Sequence, residues 1–246
     1  MIITGIIIAK NEEETIHLAI DSLNFCDEIL VIDNESSDNT SEIAKKMGAL
    51  VHTLKTNSFS ELRNFGLKNS GSKYIFYLDA DEVISEKLKE SILRAVKSEN
   101  RVSAHSMQRK NYYLGENEWP KTEVMTRLFL KDKLLGWKGD LHESPVVDGE
   151  IEELEGYIIH HTHKNLTQML SKTIEWSETE AKLRYQAKHP KMSVLRLIKV
   201  MATAFLRYYI GQKGYKVGTA GLIESVYQSF SAFITYAKLW EMQRKN

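Results

Sequence analysis

Lys73-Tyr74-Ile75-Phe76-Tyr77-Leu78-Asp79-Ala80-Asp81-Glu82 is a hydrophobic run that stops abruptly at three carboxylates. Its apolar part, aromatic and β-branched and opened by Ser70-Gly71-Ser72, has the composition of a central strand buried on both faces. Three acids at the end of such a strand repel one another and raise each other's pKa unless a cation or a phosphate-bound metal sits among them. The other reading is that they cap the helix expected from about Ser85, since acids favour helix N-termini. D-x-D is a short pattern, and by itself it leaves both readings open.

Upstream, the chain alternates strand and helix. Ile2 to Ile8 predicts a first strand, followed by Lys10-Asn11-Glu12-Glu13-Glu14 and a helix that turns Ile16, Leu18, Ile20 and Leu23 inward. Glu28 to Asp33 predicts a second strand, running through the polar loop Asn34 to Thr40 into a helix over Ser41 to Met47. Leu50 to Leu54 gives a third strand and Ser58 to Lys68 a helix bearing Glu61, Arg63 and Asn64. Such βαβ units build a mostly parallel sheet, which binds ligands beyond the carboxyl ends of its strands. Asn11, Asp33 and Asp79 all fall at such ends, and independent helix caps explain three such clusters poorly. A functional cleft explains them better. Neither G-x-G-x-x-G nor G-x-x-x-x-G-K-[ST] is present, so a phosphate-bearing ligand would need a metal.

Downstream, after a helix over Glu86 to Lys97, Val102 to Tyr113 and Val124 to Lys131 alternate as strands around a long turn at 114–120. Gly136-Trp137-Lys138-Gly139-Asp140-Leu141-His142-Glu143 reads as a loop. A strand over Tyr157 to His161 ends in His160-His161-Thr162-His163, which is either a polar strand end in water or a set of metal ligands. With C-x-x-C and H-E-x-x-H spacing absent, these histidines are better suited to completing a site begun by Asp81 than to forming one alone. From Leu166 the chain is helical, with breaks at His189-Pro190 and at Gly211 to Gly214. The middle helix, Met192 to Ile210, is apolar with a basic side made by Arg196, Lys199 and Arg207. It either lies in a membrane interface or packs against the other two helices with its basic side wet. The expected organisation is α/β, with a ligand-binding sheet domain over 1–164 and a helical extension over 165–246.

Composition narrows the partners. In 246 residues Lys+Arg and Asp+Glu are equal at 33 each, so no global field draws the chain to nucleic acid. The single cysteine, Cys26, excludes an internal disulfide and fits a reducing compartment. The amino terminus lacks the basic flank and cleavage site of a signal peptide, and no stretch reaches the ~18 apolar residues of a membrane span. A soluble or peripheral protein is expected.

Ala9-Lys10-Asn11-Glu12-Glu13, Val31 to Thr40, Arg63-Asn64-Phe65-Gly66 and Leu78 to Glu82 together resemble the family 2 glycosyltransferases of the GT-A fold. Trp137 to Glu143 and the strand ending at His160 are similar to the branch of lipopolysaccharide core enzymes that includes the heptose β-1,4-glucosyltransferases. The likeness covers about the first 180 residues. It implies a GT-A (Rossmann-like) sheet and a nucleotide-sugar donor, with Ala9, Asn11, Glu13 and Asp33 at the uracil and ribose, and Arg63 near the diphosphate and ribose. Asp79 and Asp81 match the D-x-D pair, Asp79 on the donor side and Asp81 as the direct ligand of Mg²⁺ or Mn²⁺. His160 matches a histidine near the metal and diphosphate. Relatives commonly have aromatic residues where this chain has His161 and His163. Glu143 matches the acid that serves as base, with Asp140 and then Glu82 the next candidates. Arg127 either adds charge at the phosphates or is a surface strand residue. One departure stands out: relatives often carry an aspartate in the glycine-bounded turn before the last helix, where this chain has Gly214-Tyr215-Lys216-Val217-Gly218.

The implied reaction is inverting transfer of a sugar, a UDP-hexose in the first instance, to a glycan or glycolipid acceptor such as lipopolysaccharide core. A nucleotidyltransferase and a non-catalytic sugar-nucleotide-binding protein are the alternatives. The glycine-rich first loop usual in nucleotidyltransferases is missing here.

Overall fold

A computed structural model describes residues 1–98, 102–139, 143–162 and 165–244. The first elements are β1 (Ile3–Ala9), α1 (Ile16–Ser22), β2 (Glu28–Asp33), α2 (Thr40–Lys46), β3 (Leu50–Thr53), α3 (Phe59–Asn69) and β4 (Tyr74–Asp79). They are followed by β5 (Glu82–Ile84), α4 (Glu86–Lys97), β6 (Ala104–Tyr113), β7 (Asn117–Glu118), β8 (Glu123–Leu130), β9 (Leu134–Lys138), β10 (Ser144–Val147) and β11 (Ile151–His161). The chain ends in α5 (Leu166–Gln186), α6 (Val194–Leu206) and α7 (Gly218–Arg244).

Contacts divide the chain into two compact units, Met1–Lys110 with Glu123–His160, and Asn111–Thr122 with His161–Asn246. The excursion at 111–122, which the sequence assigns to the N-terminal part, therefore groups with the C-terminal helices.

In the main sheet the strands run in the order β3-β2-β1-β4-β8-β6-β11-β5, with β7 paired to β6. The first four are parallel to one another, and β8 joins β4 antiparallel. Every residue of β1 is buried, and all of β4 up to Leu78, as their unbroken apolar sequences require of strands covered on both faces. Ile7, Val31, Phe76 and Leu78 pack on one face, and Ile6, Ile32, Ile75 and Tyr77 on the other. Each such side chain, moved out of water, stabilises the fold by about 1.5–3 kcal/mol. The parallel order reverses direction between β1 and β4, and there the register sets Ala9 opposite Asp33 and Ile8 opposite Asp79. Three strand ends thus open onto one crevice.

Helix capping settles one ambiguity. The N-cap of α4 is Ser85, whose Oγ accepts from Leu88 N–H, so the acids at 79–82 are not its caps. Glu82 instead opens β5, a three-residue strand antiparallel to β11 in which Glu82 pairs with His160. The stretch read as a loop from Gly136 is also corrected: Gly136, Trp137 and Lys138 belong to β9, which pairs antiparallel with β10.

In the second unit Trp119 is almost fully buried, donates from Nε1 to Gln212 Oε1 at 2.8 Å, and meets the Tyr113 ring edge-on. A Cβ on Gly214 would come within 2.9 Å of the Trp119 ring, and one on Gly221 within 1.9 Å of the Gly214 carbonyl oxygen. This turn needs hydrogen atoms where other residues have side chains. The helix expected to run through Ile210 ends as α-helix at Leu206 and continues as a π-turn over Arg207–Gly211.

Candidate active site

The floor of the crevice is an alternating row of charges. Arg63 projects from α3, which Ser58 caps and which Tyr77 ties to β4 by donating from its hydroxyl to the Arg63 carbonyl oxygen at 3.0 Å. Arg63 Nη2 donates to Asp79 Oδ1 at 2.9 Å, and Arg63 Nε to Glu143 Oε1 at 2.8 Å. The other Asp79 oxygen accepts from Arg127 Nη2 at 2.7 Å. Arg127 also reaches both Glu82 oxygens at 3.4 Å. Glu82 accepts from Arg109 Nη1 at 2.8 Å, and Arg109 closes the row on Glu123, its partner across the β6–β8 ladder.

Two of the three acids that end the central run are therefore neutralised by arginines. Asp79 has both oxygens in ion pairs, and Glu82 is fully buried with Oε2 accepting the Asp79 N–H at 3.0 Å. Glu82 is thereby excluded as a base in contact with substrate. Burial alone would push the Asp79 carboxyl up, but Arg127 and Arg63 overcome it and hold the group well below the usual carboxylate range. Burial likewise opposes charge on Arg63, and Asp79 and Glu143 reverse the effect and raise its pKa. Arg127 is not a surface residue; it is 1 % exposed.

The guanidinium of Arg63 lies over the Trp137 ring at 4.7 Å and the Tyr77 ring at 5.6 Å. Trp137 is itself clamped, since its N–H donates to Asn64 Oδ1 at 2.8 Å and its carbonyl accepts from Asn64 Nδ2 at 3.0 Å. Asn64 thus substitutes for a neighbouring strand. Gly136, at φ +135°, lets β9 approach it; a Cβ there would stand 3.1 Å from Asn64 Oδ1.

The third acid behaves differently. Asp81 Oδ2 lies 3.2 Å from His160 Nε2, with the two side chains 17 % and 14 % exposed. Burial disfavours charge on His160, but Asp81 beside it more than offsets this and raises the imidazole pKa above its ordinary value. Among the described residues no three His, Cys, Asp or Glu side chains converge as a metal site. The donor set, one carboxylate and one imidazole, fits a divalent ion that draws its other ligands from a bound diphosphate and water. His161, next along the strand, stacks instead on Tyr112 at 5.1 Å.

The opposite wall is built by two loops laced together. Asn11 N–H donates to Ser36 Oγ and Asn11 Oδ1 accepts from Ser37 N–H, at 2.9 and 2.8 Å. Glu12 N–H reaches Thr40 Oγ1, Glu13 N–H reaches Asp38, and Glu13 Oε2 accepts from the Asn39 backbone and side chain. Asn11 sits at φ +55°, a left-handed conformation that asparagine tolerates. Asp33, buried, accepts from the backbone and hydroxyl of Ser36. Ala9 is buried at the end of β1.

The structure thus brings Arg63, Asp79, Arg127 and Glu143 into one network and pairs Asp81 with His160. It places Ala9 and Asp33 at the ends of β1 and β2, and Asn11 and Glu13 on the loop that follows β1. Asp140 lies outside the described residues, as do His142 and His163. Sequence reasoning missed Arg109 and Glu123. Their signal was only the alternation of strands β6 and β8, whose register brings the two face to face.

A mostly parallel sheet with a switch-point cleft and acids at its strand ends places the chain in the GT-A-like fold class. Residues 4–148 match the family described as Glycosyl transferase family 2, and the chain belongs to that family of nucleotide-sugar-dependent glycosyltransferases. It is 30 % identical to an uncharacterized glycosyltransferase of Rickettsia prowazekii, over 99 % of this chain and 88 % of that protein. It is 23 % identical to the lipopolysaccharide core biosynthesis glycosyltransferase LpsC of Rhizobium meliloti, over 97 % and 92 %. Among solved structures, Staphylococcus aureus TarS 1–349 in complex with UDP-GlcNAc shares the fold with TM-score 0.52 and 13 % identity, over 100 % of this chain and 92 % of that one.

Proposed function

We propose that the chain transfers a sugar from a UDP-sugar to a glycan or glycolipid acceptor of the lipopolysaccharide core type, with inversion at the anomeric carbon. The observation that carries this is the Asp81–His160 pair, together with a carboxylate, Glu143, that Arg63 holds in place. The name of the R. meliloti relative supports the acceptor class, and the UDP-GlcNAc complex of TarS supports a uridine donor.

In this reading an acceptor hydroxyl attacks the anomeric carbon, forming the new glycosidic bond. The bond to the diphosphate oxygen breaks, and its electron pair leaves with the nucleoside diphosphate. The hydroxyl proton passes to Glu143, which must lie within about 2.6–3.2 Å of it. Arg63 orients that carboxylate by fixing Oε1, so the base meets the hydroxyl in one geometry. Asp81 and His160 would hold Mg²⁺ or Mn²⁺, the nitrogen donor favouring Mn²⁺; when bound, the ion offsets the charge that develops on the departing diphosphate. Ala9, Asn11, Glu13 and Asp33 line the nucleoside wall. Asp79 and Arg127 act on the donor through Arg63 and the strand end, since both Asp79 oxygens are engaged. We place the reaction on the cytoplasmic side of the inner membrane, with the helical segment 165–246 serving the acceptor side; among the described residues no helix is long and apolar enough to cross a membrane.

Purified protein incubated with UDP-GlcNAc or UDP-glucose, with Mn²⁺ or chelator and with or without a lipopolysaccharide core acceptor, tests this reading. Acceptor-dependent, metal-dependent UDP release is the expected result. Pyrophosphate release from a sugar phosphate and UTP would establish a nucleotidyltransferase instead, and tight UDP-sugar binding without turnover on any acceptor would establish a binding protein.

A further inference from the structure

Helix α6 and the π-turn after it carry an apolar face that no described residue of the second unit covers. Leu195, Ile198, Leu206 and Ile210 are 79 %, 58 %, 51 % and 59 % exposed. At 100° per residue they fall in one sector of the helix. The opposite sector, with Leu197, Met201 and Ala204, is half-buried, and Ser229 of α7 donates to the Met201 carbonyl oxygen at 3.0 Å on that side. Arg196 and Arg207 lie along one flank of the apolar face and Lys199 falls within it, between Leu206 and Ile210, and among the described residues none of the three is in an ion pair.

The charge pattern says what the face is for. From Ala181 to Ile223 the chain has no aspartate or glutamate, while lysines and arginines recur from Lys182 to Lys216, although the whole chain is neutral. A face meant for a second copy or for a neutral protein surface has no need of so one-sided a charge. At about 1.5 Å per residue α6 and the turn that continues it to Gly211 are about 27 Å long, short of a hydrocarbon core about 30 Å thick, and among the described residues no helix is long and apolar enough to cross a membrane. An apolar strip flanked by cations on a helix too short to span is the pattern of a helix lying in a bilayer interface.

We propose that α6 docks the protein on anionic lipid, with Leu195, Ile198, Leu206 and Ile210 among the acyl chains and Arg196, Lys199 and Arg207 on the headgroup phosphates. This deepens the membrane-side placement of the proposed function, but its test needs no sugar nucleotide, so a failure here is separable from a failure of the transfer reaction.

The test is sedimentation of the full chain with vesicles of phosphatidylcholine alone or mixed with phosphatidylglycerol. The protein should bind the mixed vesicles, release as salt is raised, and bind neutral vesicles far more weakly. The triple variant Arg196→Gln/Lys199→Gln/Arg207→Gln should lose on the order of a hundredfold in partitioning, about fivefold for each charge. The triple variant Leu195→Gln/Ile198→Gln/Leu206→Gln should lose binding while keeping the wild-type circular dichroism. Hydrogen exchange of the unaltered protein covers the case in which either variant misfolds: mixed vesicles should slow exchange across 194–211. Absence of vesicle binding, binding indifferent to the charge variant, protection confined to other segments, or a concentration-dependent dimer dissolved by the apolar variant would each overturn the proposal.

Discussion

Replacing Arg127 by methionine removes the cation between two carboxylates while keeping most of the side-chain volume. Asp79 Oδ2, now bonded at 2.7 Å, and both Glu82 oxygens, at 3.4 Å, lose their shared partner in a site where Glu82 has no solvent contact. Breaking a buried ion pair by deleting one member costs about 3–5 kcal/mol; because Asp79 keeps Arg63 and Glu82 keeps Arg109, the lower end, about 3 kcal/mol, is expected here. For a chain of this size each kcal/mol moves the melting point by about 2–4 °C, so Arg127→Met should melt roughly 10 °C below the parent at neutral pH. The pH dependence checks the cause. Asp79 is held below its unfolded value, so its pairing stabilises the fold above about pH 3.9, the unfolded pKa, and that stabilisation fades as pH falls toward the depressed folded value. The gap between variant and parent, followed by circular dichroism melts, should therefore be widest near neutrality and narrow below about pH 4. A variant melting within about 2 °C of the parent, or a gap that widens in acid, would refute a buried, arginine-neutralised row.

Glu143→Gln should retain UDP-sugar affinity by calorimetry and lose turnover by about 10²–10⁴-fold, the usual contribution of a general base; a matching loss of donor affinity would remove it from that role. Asp81→Asn should fold as the parent does yet release no UDP at any Mn²⁺ concentration, and parental turnover would refute the metal assignment. Asn64→Leu strands the N–H and carbonyl of Trp137 and should cost about 2 kcal/mol, read as a lower denaturation midpoint with unchanged slope. Burial and the neighbouring Asp27 push the Cys26 thiol up to about 12, so Ellman's reagent at pH 8 should label it slowly in the native protein and at once in denaturant.

Much of the first unit was legible because its signals are local. The buried strands β1 and β4 are unbroken apolar runs, β2 and α4 begin and end where the sequence places them, and Asp33 and Asp79 mark the strand ends that face the cleft. The expected GT-A fold and its helical C-terminal part are the ones found. The partners of the acids were not legible, because Arg63 meets Glu143 across 80 residues and Arg109 meets Glu82 across 27, and only the tertiary fold brings them together. Like charges at the strand end did call for cations, but the sequence does not say that arginines supply them for Asp79 and Glu82. β5 is too short to show any period, and the glycines around Trp137 disguised β9 as a loop.

The two loops at 11–13 and 34–40 are bonded to each other. Ordering a flexible loop around a ligand costs free energy at the moment of binding. Here that loss of freedom has already been taken during folding, so a nucleoside meeting this wall should bind with little change in its exchange rates and a small entropic penalty.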